Sequence, residues 1–401
     1  MKSGLNFLVA ARQCEIGDLE QLALTSELVS AIGRLIHALQ KERGISNVFL
    51  GSHGTRFDAQ RLQQAADCTA TELEVREHFD ALDTGSSRVR NGARLFSRIA
   101  FVLHALDSLP ELRRRIATQD IAPEESTTTF ARLISGLLVV VFEAADSATD
   151  PEISRALVAL FNFMQGKEFT GQERALGSAT FASGKTDNAH QQQWMHLIES
   201  QERCFQVFSE FADPQVLHAW NNSQTGESLA ELERLRRIGS MPHAGGKLDA
   251  NLSQTWFDCC TRRIDAMKNV EDLQANNLRL LCERKITKAQ ADLRDQQAIL
   301  EGLSRQSSPD ASPHYGPQLE RSVLGMVQEQ ARRLQDMSDE LETVRAALNE
   351  RKIVERAKGL LMATRKLSEE DAYKMLRQTA MSQNRKLVDV AESVLAMAAY
   401  L

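Results

Sequence analysis

Apolar residues recur every three to four positions over most of this chain, and no run of alternating β-branched residues interrupts them, so the pattern predicts an all-α protein. In Ala31 to Gly51, the residues Ile32, Leu35, Ile36 and Leu39 form one stripe, which Arg43 continues and which resumes at Asn47 and Leu50. A second stripe, Ile153, Leu157, Leu160, Phe161 and Met164, runs on into Lys167, Gly171 and Arg174. A third, weaker one is Leu229 and Leu232, leading to Arg236. Each places a cation on a face that should be buried, where an unpartnered charge costs several kcal/mol on the order of its desolvation penalty. Two compensations are open: an internal carboxylate such as Glu42, Glu168, Glu173 or Glu233, or a small anion. Arginine suits the latter because its planar fork offers paired N–H donors to a flat oxyanion.

The helical pattern breaks at Ser304 to Pro317, SRQSSPDASPHYGP, which reads as a flexible linker. Four heptads follow, with Val327, Leu334, Leu341 and Leu348 at one seam position and Val323, Gln330, Met337 and Val344 at the other. They predict a coiled-coil helix over 318–349 and a homodimer. The seam fails where Glu355 and Lys358 fall on it. From 350 onward three short amphipathic helices are expected. Their stripes are Ile353, Ala357, Leu360, Leu361 and Thr364; then Ala372, Leu376 and Ala380; then Leu387, Val390, Ala391, Val394 and Leu395. Ser368 is the expected N-cap of the second helix and Asn384 that of the third. Each is too short to be stable alone, so the three must pack together. Upstream, the length of 1–303 suggests stacked four-helix bundles. A loop is expected at Met241 to Lys247, then a nearly continuous helix from Asn251 to Leu303, weakest around Ile286.

Charge divides the chain in the same place. Between Arg351 and Lys386 there are ten Lys/Arg against four acids, while the whole chain carries a formal charge of −6. A basic terminal module on an acidic protein is the electrostatic footprint of a nucleic-acid reader. Lys358, Arg365, Tyr373, Arg377, Arg385 and Lys386 are the candidate contacts, with Ala357, Gly359 and Ala380 allowing close helix approach. The alternative class is a DNA-binding or protein-interaction regulator using the same tail.

Other chemistry is excluded by what the sequence lacks. There is no Gly-rich phosphate loop, no HExxH and no metal-spaced His/Cys cluster, so neither an enzyme nor a cofactor is expected. His37, beside an apolar stripe, reads as a satisfied core histidine. The six cysteines lack metal spacing and read as reduced, buried small residues. The N-terminus resembles neither a signal peptide nor an anchor, and no apolar run is long enough to span a bilayer. A cytoplasmic protein without membrane association is expected.

Two resemblances sharpen these expectations. Arg351, Ile353, the run Ala357-Lys358-Gly359 with Leu361-Met362, Ser368-Glu369, Ala372-Tyr373, Leu376-Arg377 and Asp389-Val390-Ala391 together resemble the ANTAR domain, a three-helix RNA-binding module of bacterial antiterminators. The resemblance implies binding to leader-mRNA hairpins that blocks an overlapping terminator. The stretches QKERGIS (Gln40 to Ser46) and GKEFTGQERALGSATF (Gly166 to Phe181), supported by WFDCCTRRIDAMKNVED (Trp256 to Asp272), resemble the NIT domain, an all-helical bacterial sensor. It implies nitrate or nitrite as a signal ligand held between helices by arginines, here Arg43 and Arg236 first and Arg174 next. The joined order is similar to that of nitrate-responsive antiterminators, and it implies that anion binding relieves inhibition of the RNA-binding module.

Overall fold

Backbone and side-chain positions come from a computed structural model of the chain, which describes residues 4–82, 92–240, 247–306, 317–367 and 369–398. Among these residues every regular element is a helix, and one isolated bridge pairs Lys185 with Lys247. The chain divides into two compact units, Met1–Glu329 and Gln330–Leu401.

The first unit is built on three long helices: α1 (Gly4–Gly51), α6 (Pro151–Ser183) and α10 (Leu252–Gln306). Between them come α2 (Asp58–Asp80), α3 (Gly92–Asp107), α4 (Leu109–Ala117), α5 (Pro123–Ser147), α7 (Asn188–Phe211), α8 (Pro214–Ser223) and α9 (Glu227–Ser240). Cross-helix pairs fix the directions. Gly33 lies at Met164 and Arg43 at Glu168, so α1 and α6 run parallel. Ser26 meets Cys282, Arg12 meets Asp292, Asp150 meets Lys285 and Arg174 meets Thr261, so α10 is antiparallel to both. Helices α2, α3 and α5 pack with α1 into one bundle, while α7 and α9 complete a second with α6 and α10. The two bundles are joined through these long helices.

Local sequence explains where α6 begins and ends. Asp150 caps its N-terminus, accepting from the Ile153 N–H at 3.0 Å, with Pro151 in the first turn. Gly184, at φ 65°, closes it in the left-handed conformation. Being packed from several sides, α6 buries residues around its whole circumference. Unlike the expectation from sequence, helices α1 and α5 do contain apolar stretches of membrane-spanning length, but two-thirds and half of those stretches are buried in the unit. Helix α10 runs unbroken past Ile286 and ends at Gln306, three residues into the expected linker. Residues 307–316 of that linker, and 241–246 of the expected loop, lie outside the described residues.

Aromatic packing fills the second bundle. Trp194 and Trp256 meet edge-on at 4.9 Å, with Phe181 against both, and Gly177 and Gly239 give these indoles room. Phe163 packs on Phe205, Phe208 and Trp220.

Helix α11 (Pro317–Arg365) crosses into the second unit. Along its heptads Leu334 is exposed, Met337 and Leu341 are half-buried, and Val344 and Leu348 are buried. The side chains of Val323, Val327 and Gln330 lie outside the described residues. Helices α12 (Glu369–Ser382) and α13 (Leu387–Ala398) complete a small core of Ala357, Leu361, Ala372, Leu376, Ala380, Val390 and Ala391. The three predicted stripes supply that core, except that Thr364 is exposed and the half-buried Leu360 lies outside it. Two details differ. Asn384 does not cap α13 but adopts the left-handed conformation (φ 49°) just past α12, a position Asn tolerates, and Arg385 N–H closes on the Ala380 carbonyl. Gly359 is exposed, and a Cβ there would meet nothing within 4 Å, so it permits no close approach. Ser368 lies outside the described residues.

Candidate functional site

The arginines predicted on buried stripes are buried, and each is held differently. Arg43, on α1, forks onto Glu168 of α6, with Nη1 donating to Oε1 at 2.6 Å and Nη2 to Oε2 at 3.2 Å. The amide Nε2 of Gln40 donates to the same carboxylate at 2.8 Å and that of Gln172 at 2.9 Å. Of the four candidate carboxylates, Glu168 and Glu173 take the central arginines and Glu233 adds a bond to Arg236, whereas Glu42 pairs with Arg113.

Arg174 has no such partner. Its Nη1 donates to Thr261 Oγ1 at 3.0 Å and its guanidinium lies 5.0 Å over the Phe257 ring. No carboxylate among the described residues comes within ion-pair distance of it. Burial, then the charge of Arg43, lowers its pKa to about 10. The two arginines interlock through glycines. A Cβ on Gly171 would lie 2.9 Å from Arg43 Nη2, and one on Gly44 would lie 3.0 Å from Arg174 Nη2. Each guanidinium therefore lies against bare backbone of the other's helix. The Arg43–Glu168–Arg174 group holds two cations and one anion in a buried place.

Arg236, on α9, is fully engaged. Its Nε and Nη2 fork onto Glu173 at 2.7 and 2.6 Å, Nη1 reaches Glu233 at 2.8 Å, and Nη2 also reaches Gln201 Oε1 at 3.1 Å. Burial opposes its charge, but Glu173 outweighs burial and raises its pKa. Burial alone would raise Glu173; Arg236, together with donors from Gln201 Nε2 at 2.7 Å and Trp194 Nε1 at 3.0 Å, holds it low instead.

Sequence reasoning missed Arg263. Among the described residues it bonds only to Gln201 Oε1, at 3.2 Å, and its buried Nε finds no partner there. Burial and the neighbouring Arg236 lower its pKa to about 10. A signal was present: Arg263 lies on the stripe of Trp256, Cys260, Met267 and Val270 along α10, three residues after Cys260 and four before Met267. A further buried cluster joins Lys167 to Glu271 at 2.5 Å and Glu271 to Lys268 at 3.0 Å. His37 faces it. Burial, then Lys167 and Lys41, pushes His37 down to about 3, and its Nδ1 is buried without a hydrogen bond, so it is not a satisfied core histidine. All six cysteines are free thiols; five are buried, and Cys14 is exposed rather than buried. Among the described residues no group of His, Cys, Asp and Glu could hold a metal.

In the second unit the candidate RNA contacts separate by exposure. Arg365, Arg385 and Lys386 are exposed and Arg377 is half-exposed. Lys358 is buried, with Nζ held by Glu355 at 2.9 and 3.0 Å, and Tyr373 is buried also.

Known proteins match both units. Residues 34–279 match the family described as nitrate and nitrite sensing (NIT), and residues 342–395 match the ANTAR domain. A nitrate regulatory protein of Klebsiella oxytoca is 33% identical over 98% of this chain and 95% of its own length. The solved structure of the NasR transcription antiterminator is 32% identical, with a TM-score of 0.62 over 99% of each chain. With its NIT region covering more than half the chain and an ANTAR region following it, the chain belongs to the nitrate- and nitrite-sensing family and is one of its regulatory, ANTAR-bearing members.

Proposed function

We propose that this protein is a cytoplasmic, nitrate- and nitrite-responsive transcription antiterminator, in which a planar oxyanion bound in the first unit relieves inhibition of the ANTAR module. The observation that carries the reading is Arg174: a buried guanidinium beside Arg43 with a hydroxyl and a ring for partners and no carboxylate of its own. One small anion would balance the second positive charge, since Glu168 is paired with Arg43 alone. Arg43 and Arg174 face the anion in this reading. Arg236, each of whose three nitrogens already donates to a carboxylate, supports the site by holding α9 on α6. The family's description as nitrate and nitrite sensing, and the printed roles of the two relatives, supply the ligand and the output.

The freed module binds leader-mRNA hairpins, with Arg365, Arg385 and Lys386 on phosphate and Arg377 nearby; Lys358 and Tyr373 contribute after release from their buried positions. A homodimer through 318–349 would present two modules to two hairpins, and the exposed Leu334 supports that seam.

Calorimetry with nitrate and nitrite on the full chain, Arg43→Ala and Arg174→Ala tests the sensor. Heat in the wild type that disappears in both folded variants is expected; retention of binding in both would remove the anion from this site. Titrating full-length protein with hairpin RNA, with and without nitrate and against matched duplex DNA, tests the output. Tighter RNA binding with nitrate is expected, and indifference to nitrate would exclude relief of inhibition.

A further inference from the structure

We propose that Glu168 is a built-in surrogate for the signal anion, and that a small planar oxyanion binds by displacing its carboxylate from the Arg43 fork. This rests on the reading of Arg43 and Arg174 as the anion site. The carboxylate sits where a planar oxyanion would be drawn, its two oxygens accepting from the two terminal guanidinium nitrogens at 2.6 and 3.2 Å. The Gln40 and Gln172 amides converge on the same two oxygens. Those donors form a seat for a flat, singly charged group, and none of them discriminates a side-chain carboxylate from a free oxyanion of the same shape.

Two contrasts single out Glu168. The first is Glu173, one and a half turns along the same helix. It is held by Arg236 of α9 and by Trp194 and Gln201 of α7, four bonds from two other helices. Glu168 is held across helices by α1 alone, its remaining donor Gln172 being on its own helix. The second is charge. Beside Glu168 stands a second arginine with no carboxylate, while Arg236 already has both Glu173 and Glu233. Exchange at Glu168 therefore brings in the missing negative charge without discarding one, since the carboxylate stays on α6 close to Arg174. Glu168 then acts as an affinity-setting residue: every binding event must first undo the Arg43–Glu168 fork.

The test is nitrate calorimetry on the full chain for wild type, Glu168→Gln and Glu168→Asp, with folding checked by circular dichroism and tryptophan emission. Glu168→Gln keeps the shape and removes the charge. Glu168→Asp keeps the charge and withdraws it by one methylene, so it carries the test if the first variant folds poorly. Both should bind nitrate at least about tenfold more tightly than wild type. Formate should compete with nitrate in both, and tetrahedral sulfate should not. Unchanged or weaker nitrate binding in the folded variants would leave Glu168 a structural pair and overturn the proposal, even with wild-type binding intact. A gain shared equally by sulfate would also overturn it, because a loss of negative charge would then suffice. If neither wild type nor variants bind nitrate or nitrite, the anion-site reading itself fails, and this proposal with it.

Discussion

Replacing Glu173 by Gln should be among the most damaging single changes in the first unit. The carboxylate is wholly buried and accepts four hydrogen bonds: two from Arg236, at 2.7 and 2.6 Å, one from Gln201 at 2.7 Å and one from Trp194 at 3.0 Å. A glutamine of the same shape offers one acceptor oxygen and turns a donor amide toward the other donors. Arg236 loses its charge partner inside the unit and keeps only Glu233, whose side chain is 46% exposed. Breaking a buried pair from one side costs about 3–5 kcal/mol, because the remaining charge is uncompensated. With a urea m-value of about 3 kcal/mol/M for a unit of this size, the midpoint should fall by roughly 1–1.7 M. Tryptophan emission is a clean assay, because all three tryptophans, Trp194, Trp220 and Trp256, lie in the first unit. Trp194 also loses its own bond, so the native emission spectrum should shift before any unfolding. Adding Arg236→Met should recover part of the loss by removing the stranded charge. A midpoint within about 0.2 M of wild type for Glu173→Gln would refute the premise that this pair is buried and mutually dependent.

Gly177→Ala should lose about 1–3 kcal/mol by overpacking, despite the better helix propensity of alanine, because its Cβ would collide with the Trp256 indole, whose Nε1 donates to the Arg174 carbonyl at 3.0 Å; thermal unfolding followed by tryptophan emission reads this out. His37 has a folded pKa near 3 against 6.5 unfolded. The unfolded chain therefore takes up the proton first, and the stability this group contributes above pH 6.5 is lost on acidification toward pH 3, at up to about 1.4 kcal/mol per pH unit. Urea midpoints at pH 7, 6 and 5 should accordingly fall more steeply in wild type than in His37→Gln, and parallel falls would remove His37 from the account. Arg385→Ala and Lys386→Ala should each weaken RNA binding across sequences and flatten the salt slope by about one, as expected of phosphate contacts; gel-shift titrations at several salt concentrations measure it, and an unchanged slope would remove these residues from the interface.

The sequence makes the cations legible and hides their partners, for a physical reason. A 3.6-residue period says which face of a helix a residue occupies, so Arg43, Arg174 and Arg236 stand out by continuing apolar stripes, and all three are buried. Which carboxylate meets each one depends on how helices cross, and four acids were equally available on paper. Glu42 sits one residue from Arg43, yet it turns to Arg113 of α4, because neighbours in a helix point about 100° apart. Arg263 continues the Trp256, Cys260 and Met267 stripe of α10, but its cost appears only once Arg236 is packed beside it. In the second unit, the same period that marks a basic face could not show that Lys358 folds back onto Glu355, one turn away.

Helix α6 shows how one segment can carry several of these interactions at once. At about 100° per residue, Glu168, Glu173 and Arg174 project roughly 140° and 240° apart around its axis. They reach α1, then α7 and α9, then α10. A helix with polar groups on three sides must be enclosed on three sides, which is why α6 buries residues around its circumference and why GKEFTGQER reads as neither a surface stripe nor a simple core stripe. Enclosure also couples the three directions. A change in what Glu168 binds shifts α6 against α1, and the same rigid helix presents Arg174 to α10 and Glu173 to α9. In the proposed reading, an anion at the Arg43 fork would therefore alter the packing of α10 through α6.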